Sequence, residues 1–308
     1  MKAAIINDYN APVTVSDVKN PDLLSDSVMV KVYAASVNPV DNYLRAGYLK
    51  AMLTLKFPYI LGYDIAGVVT EVGKDVTKFA IGDAVFARPN GMQAGTFAEF
   101  AVIKEVDLAK KPNNINFEEA ASLPLVSLTA WQGLVQRAHI KAGDKVLIHA
   151  GSGGVGSIAI QIAKSFGAYV ASTTGTANVG MVKSLGADLV IDYKTQKFED
   201  LIKNYDIVLD TLGGETRTRS FPLLKKGGWL VSIVGEMDKS GIAETLGVHQ
   251  DAFFMVPNGE QLDDIATLVE QGKITPLIDR TYSLDQIQDA LDYVQTGRAK
   301  GKVVIKIK

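Results

Sequence analysis

The chain has 308 residues, 47% hydrophobic and 21% charged, with 32 Lys and Arg against 34 Asp and Glu. Such apolar content excludes disorder as the main state, and the near-neutral balance argues against a dedicated nucleic-acid binder. The chain has no cysteine, which excludes disulfides, thiolate catalysis and cysteine-ligated metals.

The length predicts two domains. The opening run MKAAIINDYN is too short for a signal peptide, and no apolar stretch approaches the ~18 residues of a membrane span. A cytoplasmic protein without a membrane segment is the expectation. The first ~120 residues read as β-rich, with strands over Val28–Ala34, Ile65–Val72, Ala84–Ala87 and Phe97–Val102. Short strands with Gly and Pro punctuation predict a small barrel or sandwich. Phe117–Leu134 has helical periodicity despite Pro124. From Lys145 strands and helices alternate. Strands are predicted over Val146–Ala150, Tyr169–Thr174, Leu189–Asp192, Ile207–Leu212, Trp229–Val234 and Phe253–Val256. Helices over Ser157–Phe166 and Asn178–Leu185 each stop at a glycine, Gly167 and Gly186. Such units predict a parallel doubly wound sheet. The tail reads as helices over Gln261–Gln271 and Leu284–Thr296, then a strand over Val303–Lys308.

The run KVLIHAGSGGVG places Gly151, Gly153 and Gly156 in the pattern G-x-G-x-x-G. It follows an apolar strand and opens a helix, the context in which the motif binds a dinucleotide. Gly151 allows the tight turn, Gly153 lets a pyrophosphate approach the backbone, and Gly156 lets helix and strand pack closely. The helix N-terminus then offers free N–H groups to the phosphates. NAD binders place an acid about 20 residues on, at the end of the second strand. Here that strand ends Ser172-Thr173-Thr174, and no acid lies between Ser157 and Ala187. Hydroxyls tolerate a 2′-phosphate where a carboxylate repels it, so NADPH is the expected cofactor.

Five stretches together carry a family resemblance: SVNPVDNYLRAG, YILGYDIAGVVTEVG, LTAWQGL, AGSGGVGSIAIQIAK and GKVVIKI. The chain resembles the zinc-free medium-chain dehydrogenases/reductases of the NADPH:quinone oxidoreductase and zeta-crystallin-like branch. The resemblance implies an α/β protein with a GroES-like, β-rich catalytic domain over 1–123 and 262–308. A Rossmann domain with a doubly wound parallel sheet would span 124–261, with cofactor and substrate in the cleft between them. It implies that Asn38 and Thr129 lie near the nicotinamide and that Gly153, Gly154 and Val155 cradle the pyrophosphate. Ser172, Thr173 and Tyr193 would face the 2′-phosphate, with Thr174 closing the same strand. Thr211, Val234, Gly235, Phe253 and Phe254 would line the nicotinamide side. A homodimer joined through the edge of the Rossmann sheet is implied as well.

Zinc-bearing relatives place a Cys near Ser36 and a His where this chain has Tyr63. Asp41 and Asp64 without thiolate or imidazole make a poor zinc site, so no metal is expected. The chemistry that needs no Lewis acid is hydride transfer to a quinone or an activated α,β-unsaturated carbonyl. Either product needs hydrogen-bond donors at the developing oxyanion and then a proton. Tyr63 is the first candidate, with Asn38 and Thr129 as neutral donors. Tyr43, Tyr48 and Asp41 follow, Asp41 also serving as a helix cap. An enoyl-thioester reductase and a non-catalytic, crystallin-like NADPH- or RNA-binding protein are the alternatives. Of the histidines, His149 reads as a buried strand residue, His139 as surface and His249 as loop. Lys302 and the Lys225-Lys226 pair read as surface.

Overall fold

The fold follows the change of pattern near residue 120. In the computed structural model, which describes residues 1–90 and 95–308, the chain forms two units. One contains Met1–Leu125, Val256–Gln271 and Pro276–Lys308; the other contains Val126–Met255 and Gly272–Thr275. The expected boundary at 261/262 falls inside a helix, whereas the observed crossover precedes that helix.

The first unit opens with β1 (Lys2–Ile6), β2 (Thr14–Asp17), β3 (Ser27–Val37) and α1 (Pro39–Arg45). Pro39 starts α1, where its missing N–H is no loss. Next come β4 (Tyr59–Ile60), β5 (Asp64–Val72), β6 (Ala84–Ala87), β7 (Phe100–Lys104) and β8 (Leu108–Lys110). The helix expected over Phe117–Leu134 is broken. It becomes α2 (Phe117–Ala121), α3 (Pro124–Trp131) and a π-helical turn, Gln132–Arg137. Proline cannot continue a helix but can begin one, so Pro124 heads the second segment.

The second unit runs β9 (Lys145–Ile148), α4 (Gly154–Ser165), β10 (Tyr169–Thr174), α5 (Val179–Ser184), β11 (Leu189–Asp192) and α6 (Phe198–Leu201). It continues with β12 (Tyr205–Asp210), α7 (Gly214–Ser220), β13 (Leu224–Ser232), α8 (Ile242–Leu246) and β14 (His249–Ala252). The sixth strand is therefore His249–Ala252, not Phe253–Val256. The chain then returns to the first unit with α9 (Gly259–Glu270), β15 (Ile278–Ser283), α10 (Ile287–Gln295) and β16 (Lys302–Lys306).

In the first unit a seven-stranded sheet has the order β15-β16-β3-β5-β6-β8, with β7 also paired to β3, and a smaller sheet has the order β2-β1-β4. Antiparallel pairing of β16 with β3 sets Val303 opposite Val37. One core cluster of this unit gathers Leu44, Leu61, Tyr63, Phe97, Leu291 and Ile305.

In the second unit six parallel strands run in the order β11-β10-β9-β12-β13-β14. The order reverses between β9 and β12. A crevice opens at the carboxyl ends of strands at such a switch point, and ligands bind there.

Candidate functional site

The glycine turn sits at that switch point. Ala150 leaves β9 with a left-handed φ of 51°, which turns the chain sharply into Gly151. The three motif glycines do different work. A Cβ on Gly151 would lie 2.1 Å from Ser172 Oγ. One on Gly156 would lie 2.3 Å from Ala150 O and 2.8 Å from Gly151 Cα. Both glycines are therefore forced by packing. A Cβ on Gly153 would meet nothing closer than Ala150 O at 3.4 Å. The protein itself does not need a glycine there; the small residue leaves space for a group from outside. Gly153 also caps α4, with no side chain accepting from the first-turn N–H groups. This open turn, with Gly154, Val155 and Gly156 beginning the helix, fits a pyrophosphate.

The end of β10 mixes engaged and free hydroxyls. Ser172 Oγ donates to Ile148 O at 2.8 Å. Thr173 Oγ1 contacts His149 Nδ1 at 3.1 Å and accepts from Ala150 N at 3.2 Å. Both hydroxyls are spent inside the sheet, a correction to their expected place facing a phosphate. Thr174 Oγ1 and, in the following loop, Asn178 Oδ1 are buried without a hydrogen-bond partner. Tyr193 is 61% exposed. Its hydroxyl and the Lys194 side chain lie 3.4 and 3.6 Å from the point a Cβ on Gly175 would occupy. Lys194 lies beyond the Ser157–Ala187 interval, so the sequence pattern does not single it out. The Asp192 carboxylate beside them is occupied by Thr176 Oγ1 at 2.6 Å and Lys194 N at 3.1 Å.

Further along the sheet, Thr211 Oγ1 donates to His149 O at 2.9 Å. His149 is fully buried, its other ring nitrogen 2.9 Å from Ser220 Oγ, and burial lowers its pKa to about 4. It is a neutral structural imidazole. His139 and His249 are exposed. The Phe253-Phe254 pair divides. Phe253 packs inside beneath the Arg137 guanidinium, 4.0 Å from its ring centre, whereas Phe254 is 68% exposed. Val234 and Gly235 lie in the loop after β13.

The first unit holds a buried polar cluster. Asp64, at the start of β5, is fully buried. Its carboxylate accepts from Ser36 Oγ at 2.8 Å, Asn38 Nδ2 at 2.7 Å and Leu125 N at 2.8 Å. The cation beside it is Lys302, whose Nζ lies 3.3 Å from Asp64 Oδ2, donates to Val37 O at 2.9 Å and also donates to Asn38 Oδ1. Lys302 is thus buried, not a surface residue. Burial pulls its ammonium below the ordinary lysine range, against the opposing pull of Asp64 and Asp41. Asn38 spends its amide here, accepting from Lys302 and donating to Asp64.

Asp41 caps α1. Its Oδ2 accepts from Asn38 N at 2.7 Å while its Oδ1 is buried without a partner. Burial pushes this carboxyl up to about 7 against the Asn38 N–H and Lys302, which favour its charged form. Tyr63 is 2% exposed, with the Arg88 guanidinium 4.8 Å from its ring centre. Its hydroxyl pairs with that of Tyr59, and burial raises the pKa of both phenols. Tyr63 and Asn38 are therefore inner residues whose polar atoms are engaged. Thr129 is buried. Tyr43 and Tyr48 stand outside, 52% and 77% exposed, with ring centres 6.3 Å apart.

Comparison with known proteins fits this geometry. A family model described as "Alcohol dehydrogenase GroES-like domain" matches residues 25–113, and one described as "Zinc-binding dehydrogenase" matches residues 185–305. The chain is 40% identical to a 2-methylene-furan-3-one reductase of Solanum lycopersicum, over 99% of this chain and 79% of that protein. It is 37% identical to the mitochondrial NAD(P)H oxidoreductase RTN4IP1 of Bos taurus, over 100% of this chain and 89% of that protein. Among solved structures, the quinone oxidoreductase of Coxiella burnetii superposes with a TM-score of 0.90 at 33% identity, covering 100% of this chain and 99% of that one. These relatives overturn the cytoplasmic expectation, since several are named mitochondrial or chloroplastic. Among the described residues no helix is long and apolar enough to cross a membrane.

The zinc in one family description is not matched by the residues. Ser36, Asn38, Asp41, Tyr63 and Asp64 include no imidazole or thiolate, and the Lys302 ammonium stands at the Asp64 carboxylate. Among the described residues no three His, Asp or Glu side chains cluster as a metal site. The GroES-like matching region, the 3-2-1-4-5-6 parallel sheet with its open glycine cradle, and relatives spanning the whole chain lead to one family. The chain belongs to the medium-chain dehydrogenases/reductases, as a nicotinamide-dependent oxidoreductase of the quinone-reductase-like type.

Proposed function

We propose that this protein transfers hydride from NADPH to quinones or to activated α,β-unsaturated ketones and aldehydes, without a metal. The observation that carries the reading is the turn at Gly153, where space is left beside a helix N-terminus and the protein does not fill it. Gly151 to Gly156 would hold the pyrophosphate. The cofactor supplies the hydride, and the protein supplies orientation and polarisation. NADPH over NADH is supported by the unpartnered Thr174 Oγ1 and by Tyr193 and Lys194 converging at Gly175. There a 2′-phosphate gains a cation and hydroxyls, against the charge of the Asp192 carboxylate, which already accepts from Thr176 Oγ1 and Lys194 N.

The acceptor class follows from the polar cluster. Asp64 has its cation in Lys302, so no Lewis acid is available to stabilise an alkoxide. Quinones and enones need none, because hydride addition gives a delocalised hydroquinone anion or enolate. The relatives' names, a furanone reductase and a quinone oxidoreductase, agree with that chemistry. Tyr43 and Tyr48 carry exposed phenols that can donate to such an oxyanion, with Thr129 as a further donor. Tyr63, Asn38 and Asp41 would support them from inside. We also assign the open side of β14, the edge of the parallel sheet, to pairing with a second copy.

The test is the initial rate of NADPH oxidation with an ortho-quinone and with a simple enal, with a chelator present and NADH in parallel. Chelator-insensitive turnover, faster with NADPH, is expected. NADPH binding without turnover of either acceptor would turn the reading towards thioesters or a non-catalytic, crystallin-like role. No binding of either nucleotide would overturn it.

A further inference from the structure

The loops that follow β12 and β13 lie at carboxyl ends of strands beside the switch point. What holds them is one buried ion pair. Arg217, in the middle of α7, is 9% exposed, and its guanidinium faces the sheet. Nε donates to Asp210 Oδ2 at 2.7 Å. Nη2 donates to Ser232 Oγ at 2.7 Å and to Val234 O, and Nη1 donates to Glu236 O. Asp210 completes the arrangement from the other side. Its Oδ1 accepts from Leu212 N at 3.0 Å and Gly213 N at 2.8 Å, and its Oδ2 accepts from Ser232 Oγ at 2.8 Å.

The pair thus ties two loops into one body. Asp210 gathers the backbone N–H groups of the first loop, and Arg217 gathers the carbonyls of the second. The loops also touch. A Cβ on Gly213 would lie 3.2 Å from Val234 Cγ2 and 3.4 Å from Arg217 Nη2. Gly213 and Gly235 both adopt left-handed φ, 71° and 68°, so each loop turns sharply at a residue without a Cβ. Only a planar fork of five donors reaches a carboxylate, a hydroxyl and two carbonyls at once; a lysine supplies the charge but not the fork. Burial acts to raise the Asp210 pKa, but the Gly213 N–H, Arg217 and the Leu212 N–H outweigh it and hold the carboxyl below its usual range.

We propose that Arg217 is a positioning residue that clamps the loops Thr211–Gly213 and Val234–Glu236 together and so sets the affinity of the site for the nicotinamide end of the cofactor. The proposal rests on the nicotinamide-dinucleotide reading of the same unit. Arg217 touches neither cofactor nor substrate; it acts through backbone that does.

Arg217→Lys keeps the charge opposite Asp210 and removes the fork. Two measurements test it. In the unliganded protein, amide hydrogen exchange at 212–213 and 234–236 is expected to accelerate at least tenfold, at both loops together. In binding titrations, NADPH affinity is expected to fall at least tenfold. Adenosine 2′,5′-bisphosphate, which lacks the nicotinamide half, should bind within twofold of the unsubstituted protein. Ser232→Ala, which removes the hydroxyl's bonds to Arg217, Asp210 and Val234 and leaves the ion pair, should move both readouts in the same direction by less, and it decides the matter if Arg217→Lys does not fold. Exchange that rises at one loop alone or at neither overturns the clamp. Equal weakening of NADPH and the bisphosphate also overturns it, because that is loss of the whole unit. If the unsubstituted protein binds neither NADPH nor NADH, the cofactor reading fails and the affinity claim fails with it. The exchange result then still judges the mechanical link on its own.

Discussion

Substituting the motif glycines one at a time separates packing from ligand binding. In Gly156→Ala the new methyl carbon would sit 2.3 Å from Ala150 O, 2.8 Å from Gly151 Cα and 2.9 Å from Ala150 C. All three are backbone atoms that cannot rotate away, so helix α4 must shift on β9. Overpacking of that kind costs about 1–3 kcal/mol. In Gly153→Ala the nearest atom is Ala150 O at 3.4 Å, an ordinary contact. The remaining penalty is that of alanine for glycine at a helix cap, under about 1 kcal/mol. The affinities should run the other way. The Gly153→Ala methyl enters the space reserved for the pyrophosphate, and NADPH binding should weaken at least tenfold, about 1.4 kcal/mol. Urea melts and fluorescence titration with NADPH measure the two quantities on the same preparations. If Gly153→Ala loses as much stability as Gly156→Ala, or binds NADPH as the unsubstituted protein does, the glycines form a structural turn and the cradle argument is wrong.

Two further predictions concern the polar cluster of the first unit. Lys302→Met removes the buried cation beside Asp64 and should destabilise the protein by about 3–5 kcal/mol, because an unpaired carboxylate is left inside. The double variant with Asp64→Asn should recover much of that loss in urea melts. A double variant weaker than Lys302→Met would mean that the ammonium serves packing, not charge. Asp41 makes stability depend on pH. Its carboxyl, at about 7 in the folded chain against an ordinary 3.8, holds a proton between those values that the unfolded chain has released. Its contribution is therefore full below pH ~4 and fades as pH rises to about 7, with a slope of at most about 1.4 kcal/mol per pH unit. Asp41→Asn should remove that slope from the pH series, and an unchanged slope would show that Asp41 titrates normally.

Local pattern revealed what depends on local physics. The alternation of apolar strands with glycine-stopped helices marked the parallel sheet, and the spacing of Gly151, Gly153 and Gly156 marked its switch point. Errors arose where the deciding partner lies far along the chain. Lys302 follows a glycine at the start of a terminal strand and looks like a solvated lysine; the acid that buries it is 238 residues away. The signal was Asp64, an acid opening the otherwise apolar run DIAGVV, which implies a buried cation somewhere. Arg217 in GETRTRS looks like the polar face of a short helix, and only tertiary packing turns it inward. Tyr63 ranked first by its place in the motif, but motif position carries no information on exposure. Phe253 and Phe254 are more apolar than HQDA and so draw the strand expectation, but pairing with β13 makes the latter the sixth strand.

The pairing of β16 with β3 also bears on the order in which the protein can form. On the ribosome, every residue of the parallel sheet emerges before residue 276, so that unit can close while the rest is still being made. The first unit cannot. Until β16 arrives, Ala34–Val37 of β3 lack their second partner strand, and Asp64 has no ammonium to accompany it into the interior. A nascent chain stalled between residues 276 and 301 should thus carry an incomplete first-unit sheet with an exposed strand edge. Such an intermediate is one that chaperones recognise.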